Sequence, residues 1–264
     1  MRAVGILLIT QLCCTSFFST EQTEPEGSLN PPSYEASISA AAMYFDRRRN
    51  ELDLENTVLF EFLHRKFEQP WAKPIVQRYT EEVRDGPPSV VTWTIRMVDE
   101  SYDQYPGLDD AIGTDRLLVP ALYCRERPFS EDKFFTTLSV NTRLGGNELV
   151  HAAGAQEWAY ELGCIEHTGR WKVLREEQVR RLADEAAEFT RVEDLFVNIL
   201  SMLYYVGAPQ DVRPEWLARI VQEQHEDGGW GIGGSDDHTT LHALWTLLEA
   251  NDPRHRRVPM IKAH

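Results

Sequence analysis

Successive helical segments in the second half of this chain alternate between two kinds. Residues 147–163, 192–206 and 237–249 are apolar on more than one side, whereas 175–189 and 214–224 carry charge along one side. A helix that is apolar all round must be enclosed, and one with a single apolar stripe belongs at the periphery. No stretch alternates with the period of two that a half-buried strand needs, so helices rather than a sheet must do the enclosing. The pattern predicts an all-α fold of helical hairpins. An inner ring sheathed by an outer ring satisfies it, and so does an ordinary multi-helix bundle.

The same periodicity begins earlier. From Tyr34 onward, Ile38, Ala41, Ala42 and Phe45 fall on one face, and Leu54, Val58, Phe62 and Leu63 do so in a segment over 54–67 that joins the inner set. Pro70, Pro74 and Gly86-Pro87-Pro88 interrupt the chain. Residues 99–115 are polar and irregular, the character of a functional loop or lid. A helix over Glu131–Thr142 precedes the stop at Gly145-Gly146-Asn147, and Gly163 and Gly207 end the first two fully apolar helices.

The N-terminus reads as an address. Arg2, the apolar run Ala3–Leu12 and the small residues of Cys14-Thr15-Ser16 have the layout of a secretory signal peptide, with cleavage expected after Ser16. Lipidation at Cys13 or Cys14 is the lesser alternative, because Leu12 is bulky where a lipoprotein signal wants a small residue. The organisation expected is a signal peptide at 1–16, a flexible lead-in at 17–33, one helical domain at 34–252 and a solvated basic tail at 253–264. Export follows, to the exterior or a periplasm, and no other stretch is apolar enough to span a bilayer. A net charge of −15 argues against nucleic acid as a partner. Past the signal segment two cysteines remain, Cys124 and Cys164. They could pair, could be buried apart, or one could bind metal; pairing is the commonest outcome in an oxidising compartment.

The run from Trp216 to Ala250 contains Gln224-x3-Gly228-x-Trp230 and then Asp237-His238-Thr239-Thr240. It resembles the Q-x3-G-x-W repeat of terpenoid cyclases and protein prenyltransferase β-subunits, in which an inner helix opens on a zinc-binding histidine. That resemblance implies an α/α-toroid, here a partial barrel. A second one covers about half the chain, from Pro120 to Ala250, in the blocks LGGNELVHAAGAQEWAYELGC, VEDLFVNILSMLYYVG and DGGWG…DDHTT. In order and spacing these are similar to a family of secreted proteins best known from vertebrate thyroid, which implies secretion and a helical fold but no reaction. The chain departs from the prenyl-processing families. It has no D-x-D-D acid, Asp109-Asp110 does not continue into D-D-x-x-D, and neither later cysteine has an aspartate two residues before it.

Five residues near the starts of presumed inner helices are the candidate site: His151, Asp194, Asn198, Asp237 and His238. If the inner helices run parallel, these starts meet at one mouth. His151, His238 and Asp237 would then be a ligand set for a divalent metal, zinc by ligand type. His238 and His242 share a helix face at a spacing of four; the bland alternative is that His238 bonds a turn and His242 packs. Cys164-x2-His167 has half a metal site, but thirteen residues, about 20 Å of helix, separate Cys164 from His151. Trp158, Tyr204, Tyr205, Trp230 and Trp245 could line a pocket or simply fill the core. There is no G-x-S-x-G elbow, P-loop or H-E-x-x-H. Two functions follow as expectations: a secreted binding protein for a protein, glycan or small molecule, and an exported metal-dependent hydrolase or lyase using His151, His238 and a carboxylate.

Overall fold

Each apolar helix of the second half is enclosed along nearly its whole length. The computed structural model describes residues 34–52, 54–77, 92–99, 102, 113–252, 254 and 256–262. The signal-type segment, the lead-in and most of the polar loop at 99–115 lie outside the described residues. Among those described the secondary structure is helical, with one isolated bridge between Trp230 and Asp236. The fold is all-α.

The helices are α1 (Glu35–Arg48), α2 (Leu54–Phe67), α3 (Asp115–Leu122), α4 (Glu131–Leu144), α5 (Gly146–Glu161), α6 (Gly169–Glu188), α7 (Asp194–Tyr205), α8 (Pro214–Gln222) and α9 (Asp237–Asn251), with a 3₁₀ segment over Thr92–Met97 between α2 and α3. Every residue of α7 from Phe196 to Tyr205 is buried, and so is every residue of α9 from Thr239 to Glu249. The intervening α6 buries only Trp171, Leu174, Gln178, Leu182 and Ala186, a single stripe at steps of three and four. The contrast between the two kinds of helix is the one the residue pattern predicts. In α1 the buried face is turned slightly from expectation, onto Ser37, Ala41, Tyr44 and Phe45.

Packing neighbours follow a closed order. α2 packs on α9, α9 on α7, α7 on α5, α5 on α3, α3 on the 3₁₀ segment, and that segment on α2. Outside this cycle α6 lies against α4, α5 and α7, while α1 and α8 lie against α9. Both α5 and α7 end in Schellman turns: Cys164 N–H reaches Ala159 O, and Ala208 N–H reaches Leu203 O, each at 2.8 Å.

The Gln224–Trp230 turn shows why those residue types stand there. Gln224 Nε2 donates to Ser37 O and to Gly228 O, both at 2.9 Å, tying the turn to α1. Gly228 has φ 92°, and a Cβ there would stand 2.3 Å from Ala40 O, so only glycine fits. Trp230 is fully buried and donates through its indole to Ile220 O at 2.6 Å. Asp236 is the N-cap of α9, accepting from Thr239 N–H at 2.8 Å.

One expectation needs correction. Residues 256–262 are not a solvated tail. Met260 and Ile261 are buried, and their N–H groups donate to Glu161; Arg65 donates to Pro259 O and Met260 O; Arg257 pairs with Glu157; and Lys262 N–H reaches Met97 O. Arg257 supplies a partner for buried Glu157, and the strap backbone supplies two for half-buried Glu161, at the end of α5. Burial holds the Glu161 carboxyl up at about 7, with Glu157 adding to it and the Tyr205 hydroxyl and the two strap N–H groups pulling it down. The pairing of Cys124 with Cys164 is the one formed, so the half site at Cys164-x2-His167, already set aside on distance, has no free thiol. His167 stacks between Tyr160 and Trp171 with both ring centroids 3.9 Å away.

Candidate functional site

A cavity of about 100 Å³ lies inside the closed order of helices. It takes side chains from every member: Val58 from α2, Thr94 and Met97 from the 3₁₀ segment, Leu118 from α3, His151 and Trp158 from α5, Asn198 and Met202 from α7, and His238, His242 and Trp245 from α9. Met260 of the C-terminal strap closes it. The spacings explain the convergence. Positions 151 and 158, 198 and 202, and 238, 242 and 245 are three, four or seven apart, so each helix shows the cavity one stripe.

Of the five candidate residues, His151, Asn198 and His238 line this cavity. Asp194 stands behind His238, its Oδ1 2.6 Å from His238 Nδ1, and also accepts from Asn198 Nδ2 at 3.2 Å. Asp237 is elsewhere. Its carboxylate accepts from the Tyr44 hydroxyl at 2.7 Å and from Arg48 at 2.8 and 3.1 Å, on the α1 side of α9. Adjacent helical residues point about 100° apart. A helix that turns His238 toward the cavity therefore turns Asp237 away, and the expected ligand set of His151, His238 and Asp237 is not assembled. Among the described residues no group of three or more His, Cys, Asp or Glu is placed to hold a metal ion.

Hydrogen-bond chemistry assigns the imidazole tautomers. A carboxylate and a carbonyl can only accept, so His238 donates through Nδ1 to Asp194, and His151 donates through Nδ1 to Asn147 O at 2.7 Å. Ser201 Oγ gives its proton to Asn198 O at 3.0 Å, so it accepts from His242 Nδ1 at 2.8 Å. His151 and His242 thus carry the proton on Nδ1 and the lone pair on Nε2, while His238 holds its Nδ1 proton against Asp194. Burial holds His242 well below the usual histidine range, with His238 and His151 adding to the shift. Burial likewise lowers His151, against the pull of the Asn147 carbonyl.

The residues alone put His242 on the face of His238, with packing as the bland alternative, and do not mark Ser201 or Met260. The spacing of 238, 242 and 245 was a usable signal for His242. Nothing local distinguishes Ser201, whose role comes from the helix beside it. Of the aromatics singled out, Trp158 and Trp245 line this cavity, while Tyr204 and Tyr205 line a second one of about 180 Å³ near the C-terminal ends of α2, α7 and α9. Comparisons with protein-family models, with curated proteins and with solved structures return no match.

His242 gives a pH prediction. Its native form is neutral, and its unfolded pKa is about 6.5, so the unfolded chain takes up the proton first as pH falls. This contribution to stability is complete above about pH 6.5 and declines below it. Glu161 runs the opposite way, its contribution fading as pH rises from about 4.5 to about 7. Urea midpoints for wild type and His242→Gln, compared at each pH, isolate the histidine. The gap between them should narrow from pH 7.5 to 5, and a constant gap would contradict the assignment.

Proposed function

We propose that this chain is an exported binding protein on an α/α-toroid-like helical scaffold, and that the cavity inside the ring is where a small ligand sits. One observation carries the reading: α5, α7 and α9 each turn a polar residue from an early turn, and a large apolar one beyond it, toward the same enclosed space. Concave, mostly apolar sites with a few convergent polar groups are the usual form of small-molecule sites. The described lining contains no carboxylate, lysine or arginine. Acid–base pairs of the glycosidase type are therefore not at hand.

The alternative, a metal-dependent hydrolase or lyase, needs a third ligand beside His151 and His238, and Asp237 is committed to Arg48. Zinc would have to find that ligand outside the described residues. The signal-type N-terminus and the Cys124–Cys164 bond both favour an oxidising compartment. No helix among the described residues is long and apolar enough to cross a membrane.

The cavity is smaller than the roughly 150 Å³ that holds a benzene ring. Met202 and Met260, unbranched and adaptable, are the walls able to yield. Phenol is the first probe, since its ring suits the apolar walls and its O–H suits an imidazole Nε2. Titration should raise the melting temperature and shift the Nε2 resonances of His151, His238 and His242. If phenol leaves all three resonances and the melting temperature unmoved, the binding reading fails.

A further inference from the structure

Trp158 is 7% exposed, lines the ring cavity, and its indole Nε1 has no hydrogen-bond partner among the described residues. A buried N–H left without an acceptor costs about 1–3 kcal/mol, so a native structure keeps few of them. The second indole of the cavity is satisfied: Trp245 Nε1 donates to Glu249 at 2.9 Å. Trp158 lies seven residues beyond His151 on α5, on the same face and about 10 Å further along the helix. The cavity thus has an acceptor end, the Nε2 atoms of His151 and His242, and a donor end, one indole N–H, with Val58, Leu118, Met202 and Trp245 between.

Resting on the binding reading above, we infer that the ligand is an uncharged small molecule, apolar through its middle, whose hydrogen-bond acceptor (a ketone, ester or ether oxygen) is anchored by Trp158 Nε1. The charge assignment follows from the walls. An anion would need an uncommitted cation; the described lining holds no lysine or arginine, and His238 already has Asp194 as its counter-charge. A cation would need a carboxylate facing it, and Asp194 is spent on His238 and Asn198. An oxygen acceptor on the ligand completes the indole N–H that the described cavity lining leaves unmet.

The test uses the full-length protein and three probes of similar shape: cyclohexanone, methylcyclohexane and cyclohexanecarboxylate. Cyclohexanone should move the Trp158 indole N–H resonance and bind more tightly than the other two. Trp158→Phe keeps an aromatic wall without the N–H. It should weaken cyclohexanone about fivefold, the size of one neutral hydrogen bond, and leave methylcyclohexane unchanged. If Trp158→Phe does not fold, the indole resonance of the unaltered protein gives the same answer. Ketone and hydrocarbon binding equally, with the indole resonance still, overturns the Trp158 anchor while the cavity remains a binding site. Tighter binding of the carboxylate overturns the uncharged assignment. No binding by any of the three or by phenol overturns this inference and the binding reading together.

Discussion

Replacing both half-cystines, Cys124→Ala with Cys164→Ala, is expected to remove about 4 kcal/mol of stability. The bond joins residues 40 apart in sequence, with Cα atoms 6.1 Å apart. Cross-linking a loop of that length removes conformations from the unfolded chain, and the loop-closure relation puts the effect near 4 kcal/mol. Cys124 follows α3 and Cys164 follows the Schellman turn of α5, so the bond fastens two neighbouring walls of the cavity. A second tie runs alongside, Arg125 Nε donating to Leu162 O at 2.7 Å. Domains of this size hold about 5–15 kcal/mol in total, so the loss is a large share. Chemical denaturation measures it, and wild type under reducing conditions should match the double variant. A loss below about 1 kcal/mol would show that the unfolded chain is already restrained, or that the native bond stores compensating strain.

The kinds of helix could be read from the residues, and their neighbours could not. Periodicity alone separates α5, α7 and α9 from α6, because enclosure and one-sided burial leave different patterns in a single strip of sequence. The Gln224–Trp230 turn was legible for the same reason: its glycine and its glutamine answer needs that arise within a few residues and from the adjacent α1. The candidate site was half legible. His151, Asn198 and His238 do share a cavity, since each begins an enclosed helix. Asp237 failed because a position early in a helix gives depth along the axis and says nothing of azimuth. Whether position 237 or 238 faced inward depended on where α1 would pack, and no periodicity records that. Trp158 was noticed as an aromatic, but its unmet N–H is a property of what surrounds it. The C-terminal strap was misread for a related reason. Arg257 looks like solvent-seeking charge until buried Glu157 is seen to need it, and Arg256 until the Lys66 carbonyl is.

Substituting Lys66→Met is expected to cost about 3–5 kcal/mol, the scale for breaking a buried ion pair from one side. Lys66 and Glu249 have side chains only 5% and 2% exposed, and Nζ lies 2.5 Å from Oε1. They join the C-terminal turns of α2 and α9, and Trp245 Nε1 donates to the same Glu249 oxygen at 2.9 Å. Lys66 Nζ also lies over the Phe62 and Phe67 rings, 5.7 and 5.3 Å from their centroids. Methionine keeps the stem that packs there, so the loss isolates the charge. It strands the Glu249 carboxylate, only 2% exposed, without its ammonium. The pair itself need not be strongly stabilising, because dehydrating two ions offsets much of their attraction. A double variant separates these effects. Lys66→Met with Glu249→Gln leaves a neutral oxygen for Trp245 and no charge to strand, and it should recover most of the loss. Recovery of less than half would mean that the attraction outweighs dehydration here, so that the pair holds α2 to α9 by its own strength. A loss under 1 kcal/mol for Lys66→Met alone would mean that solvent reaches this end of the ring.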